Sequence, residues 1–271
     1  MRLLILSDLH REVWYGMQTW YEGKADPFPA IELARSRPDA VILAGDIDVG
    51  PRAVAWAEAA FAGFPVLYVP GNHEAYGRDV VQVQTEIDAA AAASANVYAL
   101  HRRVHTIGQV RFLGATLWTD FDLYGSEHRL DAADEACRRL CDYTRIRVAD
   151  DRHRLLTPDD TRRWHEEDLA WLESRVAEPF AGKTVVITHM APSACSIAER
   201  FRGTLLSAAF ASDLHRLVER VDVWVHGHTH TSSDYRIGRA RIVANPLGYP
   251  RGANRDQAEN LDFDPNRVVI L

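Results

Sequence analysis

Short apolar runs recur along this chain, and nearly all of them lead straight into a histidine, an aspartate or an asparagine. Residues 3–6, 40–44, 66–69, 111–115, 184–188 and 223–226 are rich in Val, Ile and Leu and too short for stable helices, so they read as buried strands. After them come Asp8-Leu9-His10, Gly45-Asp46, Gly71-Asn72-His73-Glu74, Thr188-His189 and Gly227-His228-Thr229-His230. In a sheet of parallel strands such carboxyl ends converge on one crevice. A chain built this way must therefore fold so that imidazoles, carboxylates and an amide meet.

Between the strands lie helical patterns. Val80, Val83 and Ile87 share one helical face, as do Phe210, Leu214, Leu217 and Val218. Thr157-Pro158-Asp159-Asp160 has the form of a helix start, with Thr157 as cap and acids at the positive end of the dipole. A helix from there to about residue 176 buries Leu169, Leu172 and Val176. A hairpin is expected over 234–237 and 241–244, turning at Gly238-Arg239.

The stretch 120–151 breaks the alternation and reads as a helical insertion, around 120–160, over one end of the sheet. Its arginines (Arg138, Arg139, Arg145, Arg147, Arg152, Arg154) interleave with Asp131, Asp134, Glu135, Asp142, Asp150 and Asp151, the pattern of an ion-paired, solvated helix. A lid that lays one arginine on a substrate phosphate is the competing reading. With no repeat, low-complexity block or flexible linker, residues 1–271 read as a single domain.

A chain of 271 residues buries enough surface to fold without structural metal, so clustered ligands point to chemistry. The net charge of -7 argues against a protein that coats nucleic acid or anionic membrane. Cys137, Cys141 and Cys195 form no disulfide framework and fit a reducing compartment. Only four apolar residues precede Ser7-Asp8, and no run is long enough to span a bilayer, so a cytoplasmic location without membrane contact is expected.

Taken singly, Asp8, Asp46 and Asn72 read as cap or turn residues, and a lone histidine at a strand end is more often structural than a ligand. Together they make a site of mixed nitrogen and oxygen donors that suits Mn, Fe, Zn, Co or Ni and disfavours Ca. The ordered motifs from Asp8 to His230 resemble the calcineurin-like metallophosphoesterase family. Gly114-Ala115-Thr116-Leu117-Trp118 and Asn245-Pro246-Leu247-Gly248-Tyr249-Pro250 resemble a bacterial branch of it.

That resemblance implies an α/β fold, a four-layer α/β/β/α sandwich of two mixed sheets flanked by helices. It also implies two divalent metal ions, manganese being favoured. Asp8, His10, Asp46 and His230 would hold one ion, and Asp46, Asn72, His189 and His228 the other, with Asp46 bridging. Such ions, about 3.5 to 4 Å apart, polarise phosphoryl oxygens and generate hydroxide for in-line attack. His73 would be the catalytic acid or a stabiliser of transition-state charge, with Asp8 and Asp46 both open as its orienting partner.

Departures from the pattern narrow the choice. Protein phosphatases carry arginines where this chain has Gly50 and Pro70, and purple acid phosphatases a tyrosine where it has Val49. The expected function is therefore a phosphodiesterase acting on a small phosphoester such as a nucleotide. A phosphomonoesterase is the alternative, and a non-catalytic binding module or a nuclease component are weaker ones. Met190 stands where relatives have a second histidine, and Asp48 and His226 read as supports for the ligands rather than as ligands. His101, His105, His128, His153, His165 and His215 read as solvent-facing or cap-like. Trp14, Tyr15, Trp20 and Tyr21 read as rings that pack their own loop rather than as a stacking platform for a base.

Overall fold

All six apolar runs form strands in the structure, a computed structural model that describes residues 1–15, 29–148, 154–251 and 257–271. The chain begins with β1 (Arg2–Leu6), α1 (Arg11–Tyr15), α2 (Leu33–Ser36), β2 (Ala40–Ala44), α3 (Arg52–Ala60), β3 (Val66–Val69), α4 (Val80–Ala93) and β4 (Val97–Ala99). It continues with β5 (Arg103–Ile107), β6 (Val110–Ala115), α5 (Arg129–Arg139), α6 (Asp142–Arg145), β7 (Arg147–Val148), β8 (Arg154–Leu155), α7 (Pro158–Ala177) and β9 (Lys183–Thr188). Last come α8 (His215–Val218), β10 (Val223–His226), β11 (Ser233–Ile237), β12 (Ala240–Ala244), β13 (Pro250–Arg251), β14 (Gln257–Ala258) and β15 (Val268–Ile270).

The strands form two large mixed sheets, ordered β15-β1-β2-β3-β4 and β11-β12-β10-β9-β6-β5. The inner pairs of each are parallel, so the connections must cross over through helices. Strand alternation then sorts the apolar side chains into layers. Leu3, Ile5, Ile42 and Leu67 face Phe112, Val185, Ile187 and Val225 between the sheets. Their neighbours Leu4, Leu6, Val41 and Leu43 point outward onto Val54 and Ala57 of α3 and Val83 and Ile87 of α4. On the far side, Val186, Trp224 and Ile242 meet Leu172 of α7 and Leu217 and Val218 of α8. These are the expected four layers. No helix among the described residues is long and apolar enough to cross a membrane.

The start of α7 forms as the sequence suggests: Thr157 and Asp160 make a reciprocal capping box with Pro158 in the first turn. The helix expected through Phe210 and Val218 shrinks to the single turn α8. Residue 211 bridges Ala191 instead, and the Ser212 N–H donates to the Ala191 carbonyl, so the backbone is already committed there. In the insertion, Ala132, Ala136, Tyr143 and Ile146 pack on Trp118, Phe121 and Met190. Arg138 and Arg139 pair with Glu135 as expected, but Asp142 is buried. Asp150, Asp151, Arg152 and His153 lie outside the described residues, as do Trp20 and Tyr21.

His165 is a second correction. It is buried rather than solvent-facing, and its Nδ1 donates to the carbonyl oxygens of Leu117 (2.9 Å) and Trp118 (3.2 Å). One turn on, Asp168 Oδ2 accepts from the Leu117 N–H at 2.8 Å. Together they clasp a turn in which Leu117 and Trp118 have φ of 77° and 33°, a left-handed conformation that side chains disfavour. Burial pushes Asp168 up to about 6. A carboxyl raised above its unfolded value loses stability for the fold as pH climbs from about 4 to about 6, in total about 3 kcal/mol. In urea unfolding at pH 4, 5 and 6.5, the stability of wild type relative to Asp168→Asn should fall by this amount as pH rises, because the other titrating groups cancel in the difference. Parallel profiles would show that the carboxyl does not titrate in that window.

Candidate metal centre

Five of the polar residues that follow strands are turned by left-handed backbone, whereas Asn72 keeps a right-handed conformation with φ of -82°. Asp8, His10, Asp46, His228 and His230 have φ of 51°, 43°, 56°, 66° and 47°. Left-handed backbone at non-glycine residues costs about 1 to 2 kcal/mol each and clusters where function demands it. Two glycines let the loops approach. A Cβ on Gly71 would lie 2.2 Å from Asp46 Oδ1, and one on Gly227 would lie 2.5 Å from Asp8 Oδ2.

The side chains gather in two groups, Asp8 with His10 and His230, and Asp46 with His189 and His228, each with donor atoms within 4.8 Å of one another, and His10 forms a third such set with Glu12 and His73. His230 Nε2 lies 3.5 Å from Asp8 Oδ1, and His10 Nε2 lies 2.9 Å from His230 Nε2. His189 Nε2 lies 3.3 Å from Asp46 Oδ1 and 3.0 Å from Asn72 Oδ1. Asp46 faces both groups, since its Oδ2 is 3.8 Å from His10 Nε2. All seven residues singled out from the sequence as metal-holding are thus brought together.

The far nitrogens of His189, His10 and His230 are tied down, which fixes their inward-facing atoms. His189 Nδ1 donates to the Ala44 carbonyl at 2.9 Å. His10 Nδ1 meets Glu12 Oε1 at 3.2 Å, and His230 Nδ1 meets Glu259 Oε2 at 2.7 Å. Burial works against charge on His189, but Asp46 outweighs it and holds the imidazole up at about 10. Likewise burial opposes charge on His230, while Asp8 and Glu259 hold it up at about 9. His228 has no such partner, and burial beside His189 drives it down to about 3. Its Nε2 is buried without a hydrogen bond among the described residues. A neutral imidazole with an unused buried nitrogen, beside two carboxylates, is the donor set a borderline divalent ion takes. The residues fit two such ions.

Asn72 is oriented from the insertion. Its Nδ2 donates to Asp142 Oδ1 at 2.8 Å, and the Tyr76 hydroxyl donates to the same oxygen at 2.6 Å. The amide oxygen therefore points at His189. His73 is held at both nitrogens, by Glu12 Oε1 at 3.1 Å and by the Tyr249 hydroxyl at 2.8 Å, and its ring stacks on Tyr76 at 3.8 Å. Neither Asp8 nor Asp46 orients the ring; from His73, Asp46 Oδ1 accepts the backbone N–H and not the imidazole. Glu74 does not enter the cluster. It accepts from the N–H groups of Gly71, Asp46 and Ile47 and from the Tyr68 hydroxyl, clasping two ligand loops.

Sequence reasoning missed Glu12, Asp142, Tyr249 and Glu259. Glu12 had a local signal, two residues after His10, and Tyr249 lies in a segment already singled out; Asp142 and Glu259 had none. Asp48 pairs with Arg52 at 2.7 Å, and His226 lies between Ser196 Oγ and the Gly227 carbonyl, so both lie outside the two groups. Met190 belongs to the insertion's apolar core. Trp14, in α1, is buried in the core beside Leu6 and Leu43 and donates to the Gly248 carbonyl at 3.1 Å, so its ring packs this segment onto the domain.

A cleft of about 320 Å³ opens on the cluster, lined by Asp46, Asn72, His73, His228, His230 and Tyr249, with Arg139 and Arg200 also on its walls. Residues 1–232 match the family model for calcineurin-like phosphoesterases. Uncharacterized protein L509 of Acanthamoeba polyphaga mimivirus is 24% identical over 208 residues, 70% of each chain. The solved structure of phosphopantetheinyl hydrolase (PptH) from Mycobacterium tuberculosis has the same fold, with a TM-score of 0.63 at 17% identity over 92% of this chain and 90% of that one. The chain belongs to the calcineurin-like phosphoesterase family and is a metal-dependent phosphoester hydrolase.

Proposed function

We propose that this protein hydrolyses small phosphodiesters with two divalent metal ions, manganese first among the candidates. The observation that carries the reading is the placement of Asp46, one carboxylate oxygen toward each group of ligands. Asp8, His10, Asp46 and His230 would hold one ion, and Asp46, Asn72, His189 and His228 would hold the other. The chemistry such ions would supply there is polarisation of the phosphoryl oxygens and a water acidic enough to act as a nucleophile near neutral pH. His73, the catalytic residue, presents Nε2 beside Tyr249 to the leaving-group oxygen while Glu12 fixes its other face. A carboxylate, an imidazole and a phenol in line leave the ring little freedom to turn away.

Gly50 and Pro70 occupy the positions of the protein-phosphatase arginines, which supports a singly charged diester over a doubly charged terminal phosphate. Arg139 is exposed and already shared with Glu135. The three cysteines are unpaired and exposed, in keeping with a reducing, cytoplasmic setting. The single-domain reading makes the insertion part of the site, because Asp142 reaches Asn72 from it.

Apoprotein reconstituted separately with Mn, Fe, Zn, Co or Ni should hydrolyse an aryl phosphodiester at least about tenfold faster than the matching monoester. The reverse preference would establish a phosphomonoesterase, and no turnover with two ions bound would establish a binding module. Chelator competition should show Asp46→Asn losing both ions. Asp142→Ala should weaken one ion about ten- to hundredfold and leave the other, whereas two unweakened ions would remove Asp142 from the site. His73→Ala should slow alkyl leaving groups more than nitrophenyl ones, because only the former need a proton. Equal losses on both would exclude an acid role.

A further inference from the structure

Beside the metal cleft lies a second, smaller groove of about 130 Å³, with Ile197, Phe201, Leu206 and Phe210 among its walls. The two are continuous: Phe201, Phe210 and Thr229 line both. Phe210 marks the junction, its ring stacked on the His228 imidazole with centroids 4.7 Å apart. Phe201 stands half exposed beside it, at 50%. A large aromatic side chain left open next to a catalytic cleft is the kind of apolar surface that marks a binding site.

The groove is drier than its composition suggests. Thr204 Oγ1 and Ser207 Oγ both donate to the Phe201 carbonyl, at 2.8 and 2.7 Å, and lie 2.9 Å from each other. Their polar atoms are thus spent on the loop's own backbone. The Gly203 N–H donates to the Tyr124 hydroxyl at 2.9 Å, which pins this loop to the segment leading into the insertion. At the mouth, the Arg200 guanidinium lies 4.8 Å from the Phe201 ring centroid, and no carboxylate among the described residues is within ion-pairing distance of it. A molecule seated across both spaces meets cationic and metal-binding groups at one end and aromatic and aliphatic walls at the other.

We propose that this groove is a substrate subsite for an apolar arm, so that the preferred substrates are phosphoesters bearing an aryl or short alkyl group. The proposal rests on the hydrolase reading above and adds the substrate class to it. An apolar cavity of about 150 Å³ accepts benzene, so a space of about 130 Å³ with an open side suits a phenyl ring or a short chain.

Calorimetric titration of the metal-loaded protein with phenylphosphonate and methylphosphonate tests the subsite without turnover. Phenylphosphonate should bind about tenfold more tightly or better. That ratio should fall toward one in Ala198→Phe, which fills the groove, and in Phe201→Ala, which removes a wall. Equal affinities in the wild type, binding of neither, or a ratio unchanged in both variants would overturn the proposal. Parallel rates on nitrophenyl methyl and nitrophenyl phenyl phosphodiesters separate the two readings. A groove that selects phenylphosphonate in a protein that hydrolyses no ester would sink the hydrolase reading alone. Hydrolysis of both diesters at equal efficiency, with equal phosphonate affinities, would sink the subsite alone.

Discussion

The site depends on keeping the carboxylate of Asp46 charged where almost no water reaches it. Moving a lone carboxylate into a protein interior costs several kcal/mol even after relaxation. Asp46 escapes that cost through its surroundings: His189 and His10 on its two oxygens and the His73 N–H on one of them. Burial opposes the charge, and the neighbouring imidazoles still hold its carboxyl well below the ordinary range. The same imidazoles are buried and depend on the carboxylates in turn. The cluster is therefore stable only as a matched set, and removing any one member leaves an uncompensated group behind.

A matched set of this kind requires exact placement from a scaffold that does not yield. The two sheets provide it, because each ligand follows its strand within a few residues and the strands are locked in register by apolar packing on both faces. The left-handed backbone at Asp8, Asp46 and His228 is strain that such a scaffold can carry. Cross-links between the loops share the load: Asp8 N–H donates to the Gly45 carbonyl, His10 N–H to the Asp46 carbonyl, and His228 N–H to the Asp8 carboxylate. Strain, burial and charge pairing are here one arrangement seen from three sides.

This arrangement explains what could be read from the sequence. Strand and ligand are adjacent in the chain, so a local pattern such as the apolar run ending at Ala44 and the Gly45-Asp46 after it carries both fold and chemistry. The orienting groups are not local. Asp142 is 70 residues from Asn72, and Glu259 is 29 from His230. In its own neighbourhood Asp142 looks like one more acid among arginines, the signature of a solvated helix. Only the packing of Tyr143 and Ile146 against Trp118 and Phe121 turns that helix inward and buries it. His165 was misjudged for the same reason, since a buried carbonyl pair 47 and 48 residues away leaves no trace in the residues around it. The helix lost between Phe210 and Val218 shows the converse: a good helical period gave way to a long-range bridge with Ala191.

The division between local and distant residues is also a division of labour. The metal-binding groups sit at the carboxyl ends of inner strands, where a shift of a strand would disturb the whole core. The walls around them come from elsewhere: Asp142 and Arg139 from the insertion, Phe201 and Phe210 from the loop after Ala191, and Tyr249 from the segment after β12. The insertion and the loop after Ala191 pack in their own clusters, with Phe210 against Ala191, Ile197 and Ala211, outside the layers that hold the sheets together, whereas Leu247 anchors the Tyr249 segment in the main core. A substitution there reshapes the cleft at little cost to the scaffold, whereas one at Gly71 or Gly227 drives a side chain into a ligand. Under the proposed subsite, chemistry is fixed by the sheets and selectivity by the loops, which puts the choice of substrate arm on Arg200, Phe201 and Phe210 rather than on the residues that gather around Asp46.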